Sequence, residues 1–279
     1  MLALVVTVPA GEVELASDAL WALGVVAVEE RAPEGDREVT GTEDRFVELW
    51  TSLGDDAHAV RRAAEAFPAR WRWHIVDVDE QVAHTWREHA VASWVTPDLV
   101  VAPSWIDVQP PTGTTVVRID PGAAFGLGDH PSTVLALRAL RSLWWPDATV
   151  LDVGCGSGVL AVAAALIGAP YVEAIDVSIA AVDATNANAR RNGVDGRVVA
   201  SARSIEDVDA TFDVVLANIL APTLVELAPA LQRVTAPAGV LVVSGVLDGA
   251  HDHVVDALAP MRVIERLTRE GWAAVVLRH

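Results

Sequence analysis

Lysine is absent from the 279-residue sequence, whose 20 basic residues are all arginines. A catalytic lysine of the protein's own is thereby excluded. The 38 acidic residues bring the net charge to −18, whereas proteins that bind nucleic acid carry a basic face. We therefore expect no direct contact with nucleic acid, and a basic protein is the kind of partner that such a charge attracts.

Cysteine is almost as scarce. With a single cysteine, Cys155, the chain can form neither an intrachain disulfide nor a thiolate metal cluster. This scarcity is typical of a protein located in a reducing cytoplasm. No apolar run reaches the ~18 residues of a membrane span, and the apolar residues 2–9 are too short, and lack the basic start, for a signal peptide. The sequence thus predicts a cytoplasmic protein without membrane contact or metal, and its length suits two domains.

Glycine marks the most informative stretch, residues 150–176, which read VLDVGCGSGVLAVAAALIGAPYVEAID. The pattern predicts a buried strand, a turn with three alternate glycines, an Ala-rich helix, and a second strand that ends in Asp176. Glycines let a ligand approach the backbone, and a helix start offers free N–H groups. Because an acid about 20 residues on accepts hydrogen bonds from ribose hydroxyls, we expect a nucleoside derivative here. The alternative is a tight turn that binds nothing.

The spacing of these glycines narrows the class of ligand. Dinucleotide sites use G-x-G-x-x-G, whereas Gly154, Gly156 and Gly158 follow the pattern G-x-G-x-G. They also come after Asp152. This variant resembles the first motif of the class I S-adenosylmethionine (SAM) methyltransferases, so SAM is the expected cofactor.

A second glycine-rich stretch, residues 116–140, reads VVRIDPGAAFGLGDHPSTVLALRAL. It predicts a strand, a loop, and a helix with Pro131 in its first turn. Ser132 and Thr133 would then point their hydroxyls outward beside free N–H groups, where a carboxylate binds well. The methionine end of SAM carries a carboxylate. The alternative is an ordinary capped helix.

Asn218 is a further candidate. It follows an apolar strand predicted over residues 212–217, and parallel strands present ligands at their carboxyl ends. Its carboxamide offers a donor and an acceptor, either for the methionine moiety or for an incoming amine. The alternative, compatible with the first, is that Asn218 caps the helix predicted over residues 223–232.

The other elements of this half alternate between helix and strand. Their order predicts an α/β fold with a Rossmann-like, doubly wound parallel sheet that ends in an antiparallel C-terminal hairpin. The predicted helices cover residues 178–192 and 248–258, and the predicted strands cover residues 197–200, 239–244, 263–268 and 272–277.

The first 79 residues predict a separate module with the ferredoxin-like order β-α-β-β-α-β. Residues 1–80 hold 17 acidic residues and 7 arginines, a net charge of −10, and no chemical motif. We interpret residues 1–79 as a substrate-recognition domain, residues 80–93 as a linker helix, and residues 94–279 as the methyltransferase domain. The alternative is that the first module is a purely structural appendage. Its predicted strands cover residues 2–8, 25–30, 45–51 and 71–78, and its predicted helices cover residues 12–23 and 55–67.

Several pieces of the sequence together resemble one family. They are DPGAAFGLGDHPST, LDVGCGSGVLA, the acid of AIDVS, NARRNGV, ANILAPTLVELAP and VVSGVL, and they span about residues 118–247. The resemblance is to the PrmA family, the bacterial methyltransferases of ribosomal protein L11. It implies SAM contacts at Thr133, Gly154, Asp176 and Asn218. The place of Asn218 at the end of a strand also makes it the candidate catalytic residue. The candidate SAM contacts, completed from the two glycine-rich stretches, are Thr133, Gly154, Asp176, Asn218, Phe125, Gly126 and Gly156.

The same resemblance implies a reaction. It is the trimethylation of lysine side chains and of the α-amine of L11, a basic ribosomal protein, with S-adenosylhomocysteine as product and the first domain as the recognition module. The family's G-T-G-T-H reads G-L-G-D-H here, with Leu127 and Asp129 replacing two threonines, which bears on substrate choice more than on SAM. The alternatives are a class I methyltransferase acting on another protein, a small molecule or RNA, and a SAM-binding protein without catalysis.

Overall fold

The computed structural model describes residues 2–9, 12–21, 29–31, 46–51, 61–62, 64–65, 67–77, 90–120, 128–143 and 147–279. The chain divides into two compact units, Met1–Ala90 and Val91–His279. No helix in the described ranges is long and apolar enough to cross a membrane.

The first unit holds a four-stranded antiparallel sheet in the order β2-β3-β1-β4. The apolar residues Leu4, Val6 and Val8 alternate along the central strand and pack on one face against Ala16 and Leu20 of the first helix, as expected for period-two side chains. The elements are β1 (Leu2–Pro9), α1 (Val13–Trp21), β2 (Glu29–Arg31), β3 (Phe46–Thr51) and β4 (Arg72–Asp77).

Two predictions for this unit fall largely outside the described residues. They are the second helix, over residues 55–67, and the linker helix, over residues 80–93. The strand order agrees with the predicted β-α-β-β-α-β plan, but the ferredoxin-like assignment and the domain boundaries stay predictions.

The second unit begins with a small three-stranded sheet in the order β5-β6-β7. β6 pairs antiparallel with β5 and parallel with β7, and all its residues are buried. The sequence predicted the third of these strands, at the start of the stretch 116–140, but not that it belongs to a sheet of its own. The strands are β5 (Ser93–Thr96), β6 (Leu99–Pro103) and β7 (Thr115–Ile119).

The rest of the second unit is a seven-stranded sheet in the order β10-β9-β8-β11-β12-β14-β13. The first five of these strands run parallel, and β14 pairs antiparallel with β12 and β13. This confirms the predicted α/β fold with an antiparallel C-terminal hairpin. The strands are β8 (Thr149–Val153), β9 (Tyr171–Asp176), β10 (Val198–Ala202), β11 (Phe212–Asn218), β12 (Thr235–Leu247), β13 (Arg262–Arg269) and β14 (Trp272–Arg278).

Helices cover both faces of this sheet, which explains why its central strands are continuous apolar runs rather than alternating ones. Three helices pack in one core cluster and two in the other. The first three are α2 (Pro131–Ser142), α3 (Val159–Leu166) and α4 (Ile179–Arg191), and the other two are α5 (Ala221–Val234) and α6 (Asp252–Ala257).

Candidate functional site

The site lies where the strand order of the large sheet reverses. The chain runs from β8 to β9 and β10 on one side, then returns to β11 and β12 on the other. The carboxyl ends of β8, β9 and β11 therefore meet around the crevice in which open α/β sheets bind ligands. Gly154 follows β8, while Asp176 and Asn218 are the last residues of β9 and β11.

The glycine turn after β8 has the backbone that its sequence predicts. Gly154, Gly156 and Gly158 all have positive φ, at 72°, 54° and 79°, a conformation that costs glycine little. The Gly154 N–H donates to the Ile175 carbonyl at 2.9 Å, which ties the turn to β9. A Cβ atom at Gly154 would lie 2.5 Å from Ile219 Cγ2, so a side chain at this position has no room.

Asp176 lies against this turn, as the sequence predicted. Its Oδ2 accepts from the Gly156 N–H at 3.0 Å, and its Oδ1 accepts from the Ser178 N–H at 2.9 Å. A carboxylate has about four acceptor positions, so each oxygen keeps a lone pair. Two such oxygens can accept from a vicinal diol.

Asp152 bonds to the start of helix α3, which follows the turn. It is buried, and its Oδ2 accepts from the Ala161 N–H at 3.0 Å. The residue at the N-cap of α3 is Gly158, which makes no side-chain cap bond, so Asp152 supplies the acceptor that a capping side chain would offer. Burial is the main cause that raises the pKa of Asp152 to about 7.

The start of α2 differs from the prediction in one respect. Pro131 is in the first turn as expected, but Ser132 and Thr133 are buried rather than pointing outward, at 4% and 2% exposed. His130 is the N-cap, and its Nδ1 accepts from the Ser132 N–H at 3.3 Å. The Ser244 Oγ of β12 donates a hydrogen bond to the Ser132 carbonyl at 2.9 Å. The helix start is therefore packed against the sheet.

His130 is itself enclosed. Its ring meets the Trp272 ring edge-on, with 4.6 Å between the centroids. Burial is the main cause that lowers the pKa of His130, although Asp129 and Glu270 act in the opposite direction. The lowered pKa favours the neutral imidazole, the form in which Nδ1 can accept a hydrogen bond.

Thr133 and Asn218 come together across 85 residues of sequence. The Asn218 Nδ2 donates to Thr133 Oγ1 at 3.1 Å, whereas the buried Asn218 Oδ1 has no hydrogen-bond partner in the described part of the chain. Helix α5 starts at Ala221 with Leu220 as its N-cap, so the alternative prediction that Asn218 caps this helix is wrong.

Other predicted residues stand as follows. Phe125 and Gly126 lie outside the described residues, as does Leu127, so their contacts stay predictions. Cys155 is buried, its Sγ accepts from Thr185 Oγ1 at 3.3 Å, and burial raises the pKa of its thiol, which indicates a packing role. No group of His, Cys, Asp or Glu within the described ranges has the arrangement of a metal site.

Sequence reasoning missed several residues that shape the site. Except for His130, which stands in the second glycine-rich stretch, they fall on positions predicted only as parts of helices and strands, and their contacts are with distant segments, so no local pattern marked them. The one usable signal was a pair of asparagines near the end of a helix, where asparagine has low intrinsic propensity. The missed residues are His130, Thr185, Asn188, Asn192, Ser244 and Trp272.

This arrangement defines the class of the protein. A seven-stranded sheet of this order, with a glycine turn after β8 and an acid at the end of β9, is a class I SAM-dependent methyltransferase fold. The sequence model of the family described as ribosomal protein L11 methyltransferase (PrmA) matches residues 1–279. The chain therefore belongs to the ribosomal protein L11 methyltransferase family.

Individual relatives agree with this assignment. A ribosomal protein L11 methyltransferase of Symbiobacterium thermophilum is 40% identical over 212 residues, 75% of this chain and 68% of the relative. One of Heliobacterium modesticaldum is 37% identical over 241 residues, 85% of this chain and 74% of the relative. The crystal structure of a ribosomal protein L11 methylase from Lactobacillus delbrueckii subsp. bulgaricus superposes with a TM-score of 0.63 and 32% identity, covering 67% of this chain and 99% of that one.

Proposed function

We propose that this protein transfers methyl groups from SAM to amines of ribosomal protein L11, on lysine side chains and on the N-terminal α-amine. Family membership supports L11 as the substrate, because the relatives are described by that activity. The observation that carries the chemistry is the Asn218 Oδ1 atom, a buried acceptor without a partner in the described part of the chain. It lies at the carboxyl end of β11, where an incoming N–H would find it.

The residues of the crevice fit SAM. Gly154 and Gly156 leave the backbone of the turn accessible, and Asp176 has lone pairs for two ribose hydroxyls. The start of α2, with Thr133, offers the partial positive charge that suits the methionine carboxylate. Phe125 and Gly126 complete the proposed set on sequence grounds. When bound, SAM would supply a methyl group already activated by its sulfonium.

The protein's own task is then positioning and desolvation. A free lysine amine has a pKa of about 10.4, so that roughly 0.1% or less is neutral near pH 7. Burial in the crevice favours the neutral form of an amine. Asn218 Oδ1 would accept one N–H of that neutral amine and so aim its lone pair, while the Thr133 bond holds the carboxamide in one orientation.

The acidic first unit supports recognition of a basic protein. Residues 1–80 carry a net charge of −10, and exposed charges act over a distance of only ~8 Å at physiological ionic strength. Added salt should therefore lower kcat/KM for L11 and leave SAM affinity unchanged. Equal kcat/KM at low and moderate salt would show that charge does not contribute to the recognition of L11. The cytoplasmic location and the absence of metal and nucleic acid remain predictions.

The proposed function is tested with radiolabelled SAM and a lysate from a strain that lacks this gene. We expect the label on one ribosomal protein, L11. Tandem mass spectrometry should place it on lysines and on the α-amine of that protein. Label on RNA, on a metabolite or on another protein would replace the proposal by one of the alternatives. A protein that binds SAM but labels nothing would be a binding protein only.

A further inference from the structure

Helix α4 lies directly against the glycine turn and presents two polar side chains to it. Thr185 and Asn188 are three residues apart, on one face of the helix, and neither is exposed to solvent. The Thr185 Oγ1 donates to the Gly156 carbonyl at 3.1 Å, and the Asn188 Nδ2 donates to the Ser157 carbonyl at 2.9 Å. A Cβ atom at Gly158 would lie 2.7 Å from Thr185, so this close approach needs a glycine.

Asn188 also binds a second segment. Its Nδ2 donates to the Asp120 carbonyl at 2.8 Å, and its Oδ1 accepts from the Asp120 N–H at 3.0 Å. The carboxamide thus pairs with the backbone of Asp120 as a neighbouring strand would. Asp120 directly follows β7 and lies within the second glycine-rich stretch, residues 116–140, which continues to Thr133.

The orientation of this carboxamide is fixed by a further bond. The Arg191 Nη1 donates to Asn188 Oδ1 at 2.6 Å, so both atoms of the amide are engaged. Asparagine is a poorer helix former than alanine or leucine, and burying a carboxamide is unfavourable unless its groups are paired. What Asn188 contributes therefore lies in the bonds that it makes rather than in packing.

Asn192 provides a natural comparison. Its Oδ1 accepts from the Arg118 N–H at 2.9 Å, and its Nδ2 donates to the carbonyls of Arg118 and Asn188 at 2.7 and 2.8 Å. These bonds attach α4 to β7, but they do not reach the glycine turn. Asn192 therefore makes the same kind of attachment to β7 without the connection to Ser157.

We propose that Asn188 is a positioning residue for the cofactor. Its carboxamide joins Ser157 of the glycine turn to Asp120 at the end of β7, so these two segments keep the spacing that SAM requires. The inference rests on the proposed function, because it assigns Asn188 a part in the same site. Asn188 acts through the backbone of both stretches.

The test compares matched variants at the two asparagines. Asn188→Ala and Asn188→Leu are measured beside Asn192→Ala and Asn192→Leu, with the Kd of S-adenosylhomocysteine from titration calorimetry and Tm from scanning calorimetry. We expect both positions to lower Tm, because each loses buried hydrogen bonds. Only the Asn188 variants should bind the ligand about tenfold more weakly, the equivalent of one net hydrogen bond.

A measurement on the unaltered protein is independent of whether the variants fold. The Asp120 N–H donates to Asn188 Oδ1. Its hydrogen exchange should slow when S-adenosylhomocysteine binds. The Arg118 amide, held by Asn192, should change less. Leucine has the same branching at Cγ as asparagine, so the Asn188→Leu variant keeps the comparison available if Asn188→Ala does not fold.

Two outcomes would overturn the inference. One is an equal effect of the Asn188 and Asn192 variants on the Kd of S-adenosylhomocysteine, and the other is unchanged exchange at Asp120. The same preparations separate this from the proposed function. An unaltered protein that binds the ligand but does not methylate L11 contradicts the function and leaves the Asn188 comparison valid, whereas one that binds no ligand contradicts both.

Discussion

The two ends of the site are built from different materials. At the glycine turn the groups that define the site are backbone atoms, arranged by glycines with positive φ and by the carboxyl groups of Asp152 and Asp176. At the start of α2 they are side chains, Thr133 and Asn218, joined by one hydrogen bond across 85 residues. The first end is a local structure, and the second exists only in the assembled sheet. Because Asp176 offers acceptors to the ribose and Asn218 Oδ1 offers one to the incoming amine, we expect Asp176 to act mainly on SAM affinity and Asn218 to act mainly on the rate.

Asn218→Ala should have the largest effect and act on the rate. Loss of the Asn218 Oδ1 acceptor leaves the amine misaligned, and misplacement of this kind costs about a hundredfold in kcat. The Kd of S-adenosylhomocysteine should change little. The control is Thr133→Val, which removes the hydroxyl that holds the Asn218 amide and should lower kcat less. A rate that is unchanged in Asn218→Ala would end the catalytic assignment.

Asp176→Ala should act on affinity instead. It removes acceptors from the ribose hydroxyls, and bonds to a charged group contribute about 1.5–3 kcal/mol, so the Kd for SAM should rise by one to two powers of ten. The rate with saturating SAM should stay near that of the unaltered protein. Titration calorimetry on the folded variant decides this, and an unchanged Kd would contradict the role of Asp176.

Gly154→Ala tests whether the turn depends on its backbone conformation and its close contacts. The control is Gly193→Ala, since Gly193 has a similar φ of 67° but nothing within 4 Å of an added Cβ atom. Both changes should destabilise the fold by about 1–3 kcal/mol through a positive φ. Only Gly154→Ala should also weaken SAM binding, because its Cβ would push against Ile219, next to Asn218. Equal SAM affinity in the two variants would show that the contact with Ile219 is unimportant.

Asp152 should make the stability of the fold depend on pH. Burial raises its pKa from 3.8 to about 7, so between these values the folded chain holds a proton that the unfolded chain releases. Its contribution to stability is present below pH 3.8 and is lost as the pH rises towards 7, by up to about 1.4 kcal/mol per pH unit. Asp152→Asn should flatten this fall. Urea unfolding between pH 4.5 and 8 measures it, and identical pH profiles would contradict the assignment.

The local end of the site was accessible from the sequence for a physical reason. The alternate glycines, Asp152 and Asp176 lie within one strand-turn-helix-strand unit, where short-range geometry decides the structure. The alternation of strands and helices likewise predicted the parallel sheet and its C-terminal hairpin. Asn218 was found because the end of a parallel strand is a known place for ligands.

The remainder depends on contacts between distant segments. The sequence did not indicate that Ser132 and Thr133 turn inward or that Asn188 bridges two segments, because both follow from packing against another element. The boundaries of α5 show the same limit. Asn218 is a favoured capping residue, but the helix begins after Leu220, since β11 continues to Asn218.

The most direct test is the intact mass of L11 purified from a strain that lacks this gene, after incubation with SAM and either the unaltered protein or Asn218→Ala. We expect the unaltered protein to add whole methyl groups to L11. With the variant, which should still bind S-adenosylhomocysteine, the same increments should accumulate about a hundredfold more slowly. Unmodified L11 in the presence of the unaltered protein, or equal rates for the two proteins, would contradict it.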